Sequence, residues 1–252
     1  MPGEQGKTVA HGLILRETET KETDKILTVL TAEMGKIPVI ARGARRKNSR
    51  LAAACQLFAW SEMTLYKRGN WYYLDSADPE ELFAGLQKDL VCFALAAYLA
   101  ELTEFVTGEE NPAPELLRLL LNGLYALAKL NKDPALVKPA FTFRLLALAG
   151  FEPMIDGCAV CGAETAQSPV LDVLQGVVHC RKCGGPGEES FPLSAACMTA
   201  LEHILHGPDR KLYSFTLMPE DLRLLDRAAE GFAAAQLERS FRTLGYYKAI
   251  LI

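Results

Sequence analysis

The sequence carries no GxxxxGK[ST] phosphate loop, no GxGxxG turn, no HExxH and no GxSxG. The usual signatures of nucleotide hydrolysis, dinucleotide binding, zinc proteolysis and serine esterases are therefore missing. Histidine is scarce: His11, His179, His203 and His206 are the whole supply. His203 and His206 stand at i, i+3 on an expected helix, which is half a metal site, but no second ligand pair accompanies them, and a solvated helix end is the simpler reading. No apolar run is long and charge-free enough to span a membrane. The nearest, Leu82 to Val106, is interrupted by Lys88, Asp89, Glu101 and Glu104, each costly in lipid. The polar start, Pro2 to Lys7, lacks the basic, apolar and small-residue order of a signal peptide. A cytoplasmic location with reduced thiols is expected, so the seven cysteines need a reason other than disulfides. Neither an internal repeat nor a low-complexity tract is present.

What is there begins with apolar residues, at 50% of the 252, ample for a packed core. The formal net charge of −4 does not advertise a partner for nucleic acid. Its distribution does. Between Lys36 and Arg50 stand Lys36, Arg42, Arg45, Arg46, Lys47 and Arg50, with no acidic residue among them. Salt screens charge over about 8–10 Å, so a local patch outweighs the sum over the chain.

The first eighty residues read as β. Val9 to Leu15, Ile26 to Leu30, Ile37 to Ala41, Leu57 to Tyr66 and Trp71 to Leu74 are short, apolar and rich in β-branched residues. Gly35 and Gly69-Asn70 supply turns that need positive φ. Five short strands without a long helix between them fit a small closed barrel, the OB-fold by strand count. From Pro79 the apolar spacing turns helical, through Leu82, Leu86, Leu90, Phe93, Ala97, Leu102 and Phe105. Further helices are expected over about 115–130, 134–149 (Pro139 near its first turn), 194–205 and 219–237, the last running on towards Tyr247. The expected class is α+β: an OB-fold β-barrel over 1–78, then a helical domain over 79–252 interrupted by a zinc module at 156–192.

That module rests on Cys158-x2-Cys161-x18-Cys180-x2-Cys183. Two close pairs at this separation are a strong zinc signature, because each pair curls round one face of a tetrahedral ion. Four sulfurs fill the coordination sphere. A catalytic zinc keeps one position open and mixes in His or carboxylate, and a thioredoxin-type dithiol sits in a βαβ unit. One structural Zn²⁺ is therefore expected. Gly162 and Gly184 follow the second cysteine of each pair, where tight backbone could aim N–H groups at sulfur, with His179, Arg181 and Lys182 beside the ion. Cys55, Cys92 and Cys197 lie among apolar residues and read as small buried hydrophobes.

Gly43-Ala44-Arg45-Arg46-Lys47-Asn48-Ser49-Arg50 falls between two expected strands, where a basic loop can follow a phosphate backbone. A solvated charged loop is the alternative. Tyr66, Trp71, Tyr72 and Tyr73 are candidate platforms for unpaired bases, although alternate members of a strand must face the core. The candidate DNA contacts are Lys36, Arg42, Arg45, Arg46, Lys47, Arg50, Tyr66 and Trp71.

Several segments together resemble the RecO family of bacterial DNA repair proteins: Glu22-Thr23-Asp24-Lys25-Ile26-Leu27, Gly35-Lys36-Ile37, Gly43-Ala44-Arg45-Arg46 with Ser49-Arg50, and Gly150-Phe151-Glu152-Pro153 ahead of Cys158-Ala159-Val160-Cys161-Gly162. The resemblance covers nearly the whole chain. It implies an OB-fold, a helical domain and an embedded zinc finger. It also implies binding of single- and double-stranded DNA, strand annealing without catalysis, and partnership with RecR and the acidic C-terminal tail of single-stranded DNA-binding protein (SSB). RecA loading and a place at the nucleoid follow from the same resemblance. Arg118, Lys129, Lys138 and Arg144 are candidates for receiving that tail. An adaptor whose barrel binds protein, and a zinc enzyme acting on nucleic acid, are the competing classes.

Overall fold

The computed structural model describes residues 6–184 and 189–251. Five strands form a closed barrel in the order β1-β2-β3-β5-β4: β1 Thr8–Thr20, β2 Asp24–Thr31, β3 Gly35–Ala41, β4 Trp60–Arg68 and β5 Trp71–Glu81. All neighbours are antiparallel except β3 and β5, which pair in parallel at Val39↔Tyr72 and Ile40↔Tyr73. This is the OB-fold connectivity. Strand periodicity explains the interior: in β3, Gly35, Ile37, Val39 and Ala41 point inward and the residues between do not. They meet Leu27 and Val29 of β2, Met63 and Leu65 of β4, and Leu74 of β5 in one apolar core.

Pro79 does not start a helix. The hairpin turn at Gly69-Asn70 fixes the β4–β5 register, and pairing continues through Ser61↔Pro79 to Trp60↔Glu81. The apparent helical spacing over 79–89 belongs instead to the strand end and a single 3₁₀ turn at Leu86–Lys88. The helix proper, α1, is Leu90–Val106, followed by α2 Pro114–Ala128 and α3 Pro134–Leu148. Pro139 lies inside α3 rather than in its first turn. The cysteine module carries a three-stranded antiparallel sheet in the order β7-β6-β8, with β6 Pro169–Asp172, β7 Val177–Cys180 and β8 Ser190–Pro192. Then come α4 Ala195–His206, α5 Pro219–Leu237 and α6 Arg242–Ile250. The last two are not one helix: Glu238 adopts a left-handed conformation (φ 48°) and ends α5.

The described residues pack as two units, one holding residues up to 89 with 100–124, the other 90–99 with 125 onward. In the second, α3 is apolar on nearly every side and buried from Val137 to Leu146, against α4 and α5. Phe143 stacks on Phe232 at 5.8 Å between ring centroids. Lys138, almost fully buried, is neutralised by Asp226 at 3.0 Å and by Glu230, which also binds Lys248 of α6 at 2.7 Å. Arg144 is likewise buried, facing Asp209 and donating to the Gly207 carbonyl. Burial removes Lys138 and Arg144 from the candidates for receiving an acidic tail, and leaves Arg118 and Lys129 at the surface. His203 and His206 form no metal half-site. His203 bonds the Lys211 carbonyl, and His206 lies between Glu202 and Glu152, whose hydrogen bonds raise its pKa.

Gly35 shows how tightly the barrel is wrapped. It has φ 63°, and a Cβ there would lie 1.9 Å from the Asn111 carbonyl oxygen in the same unit. Gly35→Ala should therefore cost more than about 2 kcal/mol, since both the dihedral and the approach are lost. Urea denaturation of the variant, with an unchanged midpoint, would contradict this.

Candidate nucleic-acid interface and metal centre

The connection from β3 to β4, residues 42–59, folds as successive turns rather than a free loop. Ala44, Ala54 and Cys55 plug into the barrel core, so the intervening charged residues point outward. Burial pushes the Cys55 thiol up to about 12, as expected of an inert buried cysteine. Two turns are closed by Arg46 N–H to the Gly43 carbonyl and Ser49 N–H to the Arg46 carbonyl.

The loop is pinned to the β1–β2 turn. Gly43, at φ 66°, donates its N–H to the Asp24 carboxylate at 2.8 Å. The Arg45 N–H donates to the Thr23 carbonyl at 2.9 Å, and its guanidinium reaches the Glu22 carbonyl and, at 2.8 Å, the Glu19 carboxylate. The Gly43 amide holds the Asp24 carboxyl below its ordinary pKa, with help from the Thr23 hydroxyl. Two separated sequence stretches, 22–24 and 43–46, thus make one structural object.

Arg42, Arg45, Arg46, Lys47 and Arg50 are exposed on it. Among the described residues, Arg46, Lys47 and Arg50 enter no ion pair. Lys36 is not brought there: it lies at the other end of β3, and its Nζ donates to the Glu104 carbonyl at 2.7 Å. Arg42 lies over the Tyr73 ring, 4.8 Å from its centroid, and Tyr73 stacks on Tyr66 at 5.3 Å and 15°. Tyr66 and Tyr73 are register partners across β4 and β5, which explains the stack. Basic loop and tyrosines therefore form one stripe on the barrel exterior. Trp71 is 39% exposed at the β4–β5 hairpin, opposite Arg68. Tyr72 points to the other side, half-buried beneath Lys67, which pairs with Glu110. Sequence reading missed two parts, Asp24 as the pin and Arg42 with Tyr73 as a pair. Nothing in the spacing signals a contact nineteen positions on, although the run Glu22 to Leu27 marks where to look.

The four cysteines converge as their spacing predicts. The sulfurs of Cys158, Cys161, Cys180 and Cys183 all lie within 4.8 Å of one another, a cluster that could hold a metal ion. Tetrahedral ligation at about 2.3 Å requires sulfur–sulfur distances of about 3.8 Å, so the set fits. Cys158 and Cys180 are buried and Cys161 is exposed. Backbone N–H groups aim at sulfur: Cys180 N–H at Cys158 Sγ (3.2 Å) and Gln167 N–H at Cys180 Sγ (3.1 Å). Amides from Cys161 and Cys180 bring the Cys158 thiol down to about 6, while hydrogen bonding to the Cys161 sulfur pushes Cys183 up to about 12. Such crowding keeps some thiols protonated unless a cation neutralises them, which suits a divalent metal. The two glycines differ in role. Gly162 takes φ 72°, a turn requirement. Gly184 is needed for space, because a Cβ there would lie 2.3 Å from the buried His179 ring. His179 itself bonds the Cys180 carbonyl, and Arg181 and Lys182 remain exposed.

Residues 7–83 match the family model described as Recombination protein O N terminal, and residues 87–245 the one described as Recombination protein O C terminal. The DNA repair protein RecO of Acetivibrio thermocellus is 31% identical over 239 residues, which cover 95% of each chain. That of Symbiobacterium thermophilum is 32% identical, over 92% of this chain and 93% of its own. The RecO of Listeria monocytogenes serotype 4b is 34% identical over 172 residues, about two thirds of each chain.

Two outcomes are expected. Because the Asp24 pKa is lowered, its hold on Gly43 is complete above the ordinary aspartate range and disappears as pH falls through the depressed value. Slow hydrogen exchange at the Gly43 amide should persist at neutral pH and vanish in Asp24→Ala, and equal protection in both would refute the pin. Removing metal with a strong chelator at pH 7 should melt the β6–β8 sheet, read as lost amide dispersion, and stoichiometric zinc should restore it. Metal affinity should fall on acidification, since protons compete for the thiolates.

Proposed function

The chain belongs to the RecO family of DNA repair proteins, and from that premise we propose that it acts by binding DNA rather than by catalysis. It holds single- and double-stranded DNA, anneals complementary strands and, with RecR, helps load RecA onto SSB-coated strands at the nucleoid. The observation that carries the DNA part is the pinned loop of Arg42, Arg45, Arg46, Lys47 and Arg50, continuous with the stacked Tyr73 and Tyr66. The guanidinium and ammonium groups neutralise phosphates, while the tyrosine faces accept unpaired bases. Trp71 adds a further exposed ring near the hairpin. Holding two strands on one cationic surface lowers their mutual repulsion, which favours pairing.

The remaining assignments follow the same division. The barrel, whose last strand runs on to Glu81 rather than ending at 78, handles DNA, and the chain after it offers docking faces for proteins, with Arg118 and Lys129 left to meet an acidic tail. One Zn²⁺ held by Cys158, Cys161, Cys180 and Cys183 supplies four bonds that staple residues 156–192, worth of order 10 kcal/mol to a small module. A closed four-sulfur shell leaves no position for substrate. No helix among the described residues is long and apolar enough to cross a membrane.

The test is single-stranded DNA binding over a salt series. Reversing Arg45 and Arg46 to Glu should flatten the slope of log K against log salt by about 1.4, two contacts at roughly 0.7 each. Replacing Tyr66 and Tyr73 by Ala should weaken single-strand binding by about 1–3 kcal/mol per lost stack while sparing duplex. An unchanged slope in the first variant would move the contacts elsewhere. Absence of binding at any salt would instead favour an adaptor that reaches DNA through partners.

A further inference from the structure

The cysteine module does more than close on its own metal. Its β6–β7 turn and β8 face the C-terminal half of α5, and together they border an open groove of about 400 Å³. The walls are mostly apolar: Val173, Leu174, Phe191, Ala234 and Ala235. Gly231 makes the floor possible, because a Cβ there would lie 2.3 Å from the Phe191 ring. The turn is locked rather than loose. Gln236 Nε2 donates to the Val173 carbonyl at 2.7 Å and to the Leu174 carbonyl at 3.2 Å. Leu174 nevertheless keeps 62% of its surface exposed, an apolar side chain held open by polar bonds to its backbone.

The charge of the groove selects what fits it. Among the described residues, Glu189 and Glu238 are the charged groups lining it, both exposed, and no cation lines it. Glu238 also ends α5, so the last carbonyls of that helix, its negative pole, lie at the same place. An apolar trough with this sign at its walls repels an acidic tail and favours a cation carried beside an apolar anchor. Its volume lies within the range of clefts that take a bulky side chain or small ligand, roughly 300–1,000 Å³.

We propose that this groove docks a short segment of a partner protein carrying lysine or arginine next to a bulky apolar side chain. The apolar residue fills the space between Phe191, Leu174 and Ala235, and the cation meets Glu189 or Glu238. The segment belongs to a different class from the acidic tail considered above, and its docking does not depend on the DNA reading. It gives the metal an indirect part, since the ion holds the sheet that forms one wall.

The test is to pan a library of random dodecapeptides against the full-length zinc-loaded protein, then measure binding of the enriched peptide by fluorescence anisotropy. Sequences pairing a basic residue with Leu, Ile, Phe or Trp should be enriched. Binding should weaken about tenfold or more in Ala235→Trp, which fills the groove, and in Glu189→Gln/Glu238→Gln, which removes the charge without adding bulk. Thermal unfolding of both variants serves as the fold control. Enrichment of acidic peptides, no enrichment, or a consensus peptide that binds a folded charge-neutral variant as tightly as the parent would overturn the proposal.

Discussion

The barrel unit depends on one closure, the short parallel pairing of β3 with β5 at Val39↔Tyr72 and Ile40↔Tyr73. Without it the five strands would be an open sheet with two exposed edges, prone to pairing with other chains. With it, Ile37, Val39, Leu65 and Leu74 share one dry interior. The same contact carries the candidate interface. It places the end of β3 against the start of β5, so that Arg42 lies over Tyr73 and the loop that follows begins beside a stacked tyrosine pair. A core constraint and the candidate interface thus come from the same two register pairs.

Electrostatics on this unit follow a pattern that the net charge hides. Lys7 pairs with Asp75, Arg16 with Glu104, Lys25 with Glu17 and Lys67 with Glu110. Lys36 gives its ammonium to a helix carbonyl. Those cations serve the fold, and exposed pairs of this kind contribute little stability each. Arg46, Lys47 and Arg50 are left over on the loop, and Arg45 is held by a single exposed carboxylate, Glu19, that phosphate can displace. An acidic chain can therefore present a local positive patch while many of its other cations on this unit are held by local partners.

Much of this was legible in the sequence. The alternation in Ile37 to Ala41, the Gly69-Asn70 turn and the two CxxC pairs are local signals, fixed within a few residues by strand pleat, turn geometry and metal chemistry. The convergence of the four sulfurs followed from them. What was not legible depends on partners distant in sequence. β5 runs on through Pro79 because β4 continues beside it, and a single proline with helical apolar spacing gives no hint of that. α5 stops at Glu238 by adopting a left-handed residue that is neither Gly nor Asn. Lys36 looked like part of a basic cluster but is spatially at the far end of its strand. Gly184 looked like a turn residue and proves to be space for His179.

The central claim is that unpaired bases meet Tyr66 and Tyr73 while phosphates meet the 42–50 loop. Photo-crosslinking of bromodeoxyuridine-substituted single strands to the zinc-loaded protein, with mass-spectrometric mapping of the adducts, tests it most directly. The account predicts adducts on the peptides containing Tyr66 and Tyr73, suppressed by high salt. Adducts confined to peptides of α3 to α6, with the barrel tyrosines unmodified, would contradict it.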